Sequence, residues 1–142
     1  MPEFKPIVVK NSARTAAGVF VSFSIAFLLG EALGYFEWHW IVPIGDQLLS
    51  IADVAIILVA CFLGAFVARK NFLSAFLPIY LALYLYGVQT MQRILENTPN
   101  PPTYVELLLD TTYGGVINIA VIIVFGLIGE RFGRWSFDAT DT

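Results

Sequence analysis

Long apolar runs broken by short polar stretches dominate the chain. Reading from the amino end, apolar residues prevail from Thr15 to Phe36, from Leu48 to Ala68, from Phe72 to Gln92 and from Val105 to Gly129. About 20 mostly apolar residues in a helix cross roughly 30 Å of hydrocarbon. The pattern therefore predicts an all-α integral membrane protein, a four-transmembrane-helix bundle in one membrane domain spanning residues 1–142. The linking stretches are too short to form a separate folded body. The basic amino-terminal stretch resembles the charged start of a signal sequence, but the run behind it is too long for a signal core. It reads as an uncleaved first span.

Composition agrees with the pattern. The 142 residues are 58% hydrophobic and only 13% charged, against about 25% charged in soluble domains. The placement of charge adds orientation. Lys5, Lys10, Arg14, Arg69, Lys70, Arg131 and Arg134 all fall at one end of a four-span arrangement, and only Arg93 falls at the other. Lys and Arg in short loops mark the cytoplasmic side, so both termini are expected in the cytoplasm. The stretch GAFVARKNFLSAF (residues 64–76) resembles the inner hairpin of small bacterial membrane proteins. That resemblance implies a bacterial inner membrane and no activity. Tyr35, Phe36, Trp38, Trp40 and Trp135 flank span ends, where aromatic rings anchor at headgroup level.

The first span carries small residues at every fourth position: Gly18, Ser22, Ala26, Gly30 and Gly34. Helices attract each other weakly in lipid, and small residues let two backbones approach. The second span offers a matching set in Ala52, Ala60, Gly64 and Ala68, and Gly126 and Gly129 offer another on the fourth. Spans one and two are expected to pair within one chain, and pairing between chains is the alternative. Asn118, mid-span in GGVINIAVIIVFGLIG, is expected to hydrogen-bond across to another helix, with Tyr80, Tyr84 and Tyr86 as candidate partners. Pro78 removes a helix hydrogen bond early in span three and predicts a bend there.

The acids gather at the end opposite the basic residues. Glu31, Glu37, Asp46, Asp53, Glu96, Glu106 and Asp110 lie there, with Arg93 as the one local cation. Ionisable groups in or beside hydrocarbon are costly and usually face a bundle interior or water. Glu31, Asp53, Arg93 and Asp110, with Gln89 one turn below Arg93, form the candidate polar or ion site. Three readings are open. The acids tie helices in register through Arg93, they form a cation or proton site, or they bind a partner subunit.

The motif search excludes more than it finds. The chain has no phosphate-cradling loop, no paired-histidine zinc motif and no nucleophile elbow. Its one histidine, His39, and one cysteine, Cys61, suffice for neither a metal site nor a disulfide within the chain. No metal, cofactor or nucleic-acid partner is expected. The sequence points to a non-catalytic oligomerising or accessory subunit, whose partners are the bilayer and either a second copy or a larger membrane protein. A small oligomeric cation or proton channel or transporter is the alternative.

Overall fold

The computed structural model describes the backbone of residues 6–35, 41–44 and 47–138. Five helices and a small hairpin follow in the order α1 (Pro6–Tyr35), β1 (Ile41–Ile44), β2 (Gln47–Ser50), α2 (Ile51–Ala68), α3 (Phe72–Leu95), α4 (Tyr104–Asp110) and α5 (Thr112–Asp138). Four of them contain stretches long and apolar enough to cross a bilayer: Ser12–Gly34, Ile51–Ala68, Phe72–Leu95 and Thr112–Phe137. The protein is thus helical and membrane-like. Lys5, Phe36, Glu37, Trp38, His39, Trp40 and Asp46 lie outside the described residues, as does the side chain of Lys10.

Two boundaries differ from the hydropathy reading. The expected fourth span, 105–129, is divided at Thr111. Residues 104–110 form the separate short helix α4, and α5 begins at Thr112 and carries Arg131 and Arg134 within it. Thr111 is the C-cap of α4; its Oγ1 donates back to the Leu107 carbonyl at 2.9 Å and meets the Tyr84 hydroxyl at 2.7 Å. The Gly114–Gly115 pair behind it also weakens helix continuity. Likewise Leu48–Ser50, expected in span two, belong to strand β2, which pairs antiparallel with β1 in the register Ile41↔Ser50 and Pro43↔Leu48. In the sequence, Gly-Asp between Ile41–Ile44 and Gln47–Ser50 is a two-residue hairpin signal. α3 continues as one helix through Pro78.

Helix α2 is the centre of the bundle. It runs antiparallel to α1, with Gly18 opposite Gly64 and Ala68, and Ser22 opposite Gly64. On its other side it runs parallel to α5, with Gly129 against Phe62 and Ala65, and Gly133 against Phe66. A methyl group added at Gly64 would lie 2.6 Å from the Gly18 carbonyl oxygen and 2.7 Å from Ser22 Cβ. These are backbone-to-backbone seams of the small-residue kind. Around them sits the core, made of Cys61, Ala65, Ala68, Phe72, Phe76 and Ile122. Phe23 of α1 stacks on Phe76 at 5.1 Å between centroids, while Phe20 and Phe27 point outward.

The tight packing lies at one end. There Thr15 Oγ1 donates to the Lys70 carbonyl (3.1 Å), and the Phe72 amide donates to Glu130 Oε1 (2.7 Å). The Arg69 guanidinium lies 3.5 Å above the Phe137 ring. These contacts join the starts of α1 and α3 to the ends of α2 and α5. The basic residues Arg14, Arg69, Lys70, Arg131 and Arg134 therefore share one end of the bundle, and both ends of the described chain lie there. The turn is compact because Arg69 and Asn71 both take left-handed backbone conformations, at φ 64° and 59°. Asn71 gives α3 no side-chain cap, and the Glu130 carboxylate from α5 meets that need.

Candidate functional site

The acidic end is built differently, and helix starts account for two of its carboxylates. Ser50 is the N-cap of α2, and its hydroxyl accepts from the Asp53 amide at 3.3 Å. Asp53 therefore sits in the first turn of α2, where a negative charge offsets the unpaired amides. It is exposed and does not reach into the bundle. Thr103 and Glu106 form a reciprocal capping box at the start of α4. The Glu106 carboxylate accepts from Thr103 N at 2.7 Å and from Thr103 Oγ1 at 2.9 Å. These bonds favour its charged form and hold its pKa below the ordinary carboxylate range.

A lowered native pKa means the unfolded state binds the proton more readily. The cap is therefore intact above the ordinary glutamate value, about 4.3, and is lost as pH falls through the lowered native one. A carboxyl-carbon NMR titration is expected to place the Glu106 midpoint below about 4.3, and Thr103→Ala is expected to raise it towards that value. A midpoint unchanged by Thr103→Ala would show that the capping box has no hold on the charge.

Glu31, Asp53, Gln89, Arg93 and Asp110 are all exposed, and among the described residues no ion pair joins Arg93 to an acid. Asp53 lines a cleft of about 270 Å³ between the upper parts of α1 and α2, together with Gly30, Gly34, Ile41 and Ser50. Gln89 lines a different cleft, of about 520 Å³, with Gln92, Tyr86 and Tyr104 between α3 and α4. Asp110 is the last residue of α4. The hydropathy reading placed Glu31, Asp53 and Asp110 on neighbouring continuous spans. No group of three or more metal-ligating side chains occurs among the described residues.

The small-residue ladder of α1 divides in the same way. Gly18 and Ser22 are buried in the α1–α2 seam, and Ala26 is half-buried. Gly30 and Gly34 have nothing within 4 Å of an added methyl group. Gly126 packs against Leu73 of α3, at 2.6 Å from the same kind of probe atom. The α5 residues that meet α2 are Gly129 and Gly133. Gly129 is one of the two small residues that the sequence offers on this span, and Gly133 lies one four-residue step beyond it.

The middle of the bundle holds polar groups that charge-based reasoning did not bring together. Ser22 and Cys61 are fully buried beside each other, and the Tyr80 hydroxyl lies beside Asn118. The expected Asn118–Tyr80 neighbourhood is present, yet Asn118 Oδ1 is buried with no hydrogen-bond partner among the described residues. Tyr84 instead pairs with Thr111, and Tyr86 is exposed.

Compared with protein-family models, curated proteins and solved structures, the chain matches none.

Proposed function

We propose that this protein is a non-catalytic subunit of a membrane assembly, set in a bacterial inner membrane with both ends in the cytoplasm. The observation that carries the reading is the unfilled upper half of the α1 ladder. Gly30 and Gly34 have nothing within 4 Å of an added methyl group and, beside the exposed Glu31, line an open cleft whose other wall is the start of α2. Bare glycine backbone at four-residue spacing is what a second helix packs against in lipid. The partner helix comes from another copy or from a larger membrane protein. The basic residues gathered at the end shared by both termini support the orientation.

Crosslinking in native membranes tests this reading. The wild-type chain is expected in species larger than the monomer. Gly30→Leu with Gly34→Leu is expected to lower that fraction about tenfold, the effect of roughly 1.4 kcal/mol at the contact. A Gly30→Cys chain, whose only other thiol is the buried Cys61, separates self-association from capture by a different protein. A monomer in mild detergent with no crosslinked partner in the membrane would end the proposal.

A further inference from the structure

A groove of about 970 Å³ lies between the first half of α1 and the start of α3, and its two ends differ in kind. Ser12 and Thr15 of α1, with Asn71 and Ser74 beside the α2–α3 turn, line one end. Val19, Phe20, Phe23 and Ile79 line the rest. Along α1 the lining runs from Ser12 to Phe23, about 16 Å at about 1.5 Å per residue. One leaflet supplies about half of a hydrocarbon core roughly 30 Å thick. The groove is therefore about as deep as one leaflet, with its polar end at the start of the spans, Ser12 and Phe72. Phe20 is 72% exposed at the rim, so the groove opens sideways towards lipid.

The polar end is also the basic end of the bundle. Lys70 is exposed there between two groove residues: Asn71 follows it in the chain, and its carbonyl accepts from Thr15 Oγ1 at 3.1 Å. This end holds Arg14, Arg69, Lys70, Arg131 and Arg134 against the acids Glu130 and Asp138 of α5. Among the described residues no acid lines the groove, and the Glu130 carboxylate is turned to the Phe72 amide. A donor stands at the lip as well. Asn71 is exposed and gives α3 no side-chain cap bond, so its amide group is left to donate outward. An anionic head with an apolar tail matches this sequence of charge, donor and hydrocarbon. A choline head brings a second cation beside Lys70, which is unfavourable.

We propose that this groove holds one anionic phospholipid of the leaflet on the basic side, with its phosphate at Lys70 and Asn71 and an acyl chain along Phe20, Phe23 and Ile79. The site needs no second chain and is independent of the assembly proposed above.

The test uses the full chain in phosphatidylcholine vesicles with a small fraction of phosphatidylglycerol carrying a photoreactive diazirine midway along one acyl chain, and a matched phosphatidylcholine probe. The phosphatidylglycerol probe is expected to label 19–23 on α1 and 75–79 on α3 about fivefold more than its counterpart, and to be competed by plain phosphatidylglycerol but not by phosphatidylcholine. Lys70→Gln, at an exposed position, is expected to remove most of that preference, about fivefold for one basic residue at an anionic surface. Asn71→Gly keeps the left-handed backbone and is expected to weaken labelling about threefold to tenfold, the range for one hydrogen bond. Arg131→Gln, exposed on α5 and not part of the groove, is expected to leave the preference intact. Equal labelling by the two probes, or an Arg131→Gln loss as large as that of Lys70→Gln, would mean bulk lipid contact or general surface charge, and would overturn the proposal. So would labelling spread evenly over the outward Leu81, Leu85 and Leu127, or a groove left unlabelled because another helix covers it.

Discussion

Gly64→Leu is expected to unfold the bundle, whereas Gly30→Leu leaves the single chain standing. The two glycines sit in facing helices and look equivalent in composition. Their surroundings differ. Beyond Gly64 Cα are the Gly18 carbonyl and Ser22 Cβ from α1, at 2.6 and 2.7 Å from an added methyl, and the Phe72 ring at 2.9 Å. Two of those neighbours are backbone or its first side-chain atom, so they cannot swing away, and any larger residue must push α1 off α2. Overpacking of this kind costs about 1–3 kcal/mol when side chains can yield, and here about 3 kcal/mol or more. Gly30 has open space at the same position, so its replacement should stay within about 0.5 kcal/mol, as for surface substitutions generally. Unfolding in mixed detergent micelles, followed by far-ultraviolet circular dichroism, reads both. A Gly64→Leu chain as stable as wild type would refute the α1–α2 seam. Gly18→Leu should match Gly64→Leu, and the two should be far from additive, because each breaks the same contact.

The second large effect is expected at Glu130. Its carboxylate accepts the amide of Phe72, the first residue of α3, across a sequence separation of 58. Glu130→Ala leaves that part-buried amide unpaired, which costs about 1–3 kcal/mol. It also removes a negative charge from the start of a 24-residue helix. Glu130→Gln keeps an acceptor and should retain most of the stability. The amide of Phe72 gives a local readout: its hydrogen exchange should quicken in Glu130→Ala before global unfolding does. Equal stability and equal Phe72 protection in wild type and Glu130→Ala would show that α3 is held in place without this bond.

Both effects concern the same place, the basic end where α2 turns into α3. The turn itself is short and strained in backbone terms, with Arg69 and Asn71 at positive φ. It is fastened from outside by Thr15, Glu130 and Phe137. At the opposite end lie the hairpin, the short helix α4 and open clefts.

The sequence alone determined the solvent, the number of apolar helices and their approximate limits. A continuous run of about 20 apolar residues has one stable answer in lipid, a helix that satisfies its own backbone. Charge asymmetry was legible for the same reason, since it depends on order along the chain and not on contacts. So were the small-residue steps, as candidates. Other features needed three dimensions. Hydropathy cannot see the break at Thr111, because a short capped helix and a spanning helix can share the same Val-Glu-Leu-Leu-Leu composition. Asp53 reads only as an acid near one end of a span until Ser50 is seen to cap the helix whose first turn holds it. Glu130 looks like one more terminal charge until the bundle brings it to Phe72. Small residues permit close approach, and only the arrangement of the other helices decides which of them is approached: Gly18 and Gly64 are, Gly30 and Gly34 are not. The buried Ser22 belongs to the same class, since its burial beside Cys61 is a property of its surroundings.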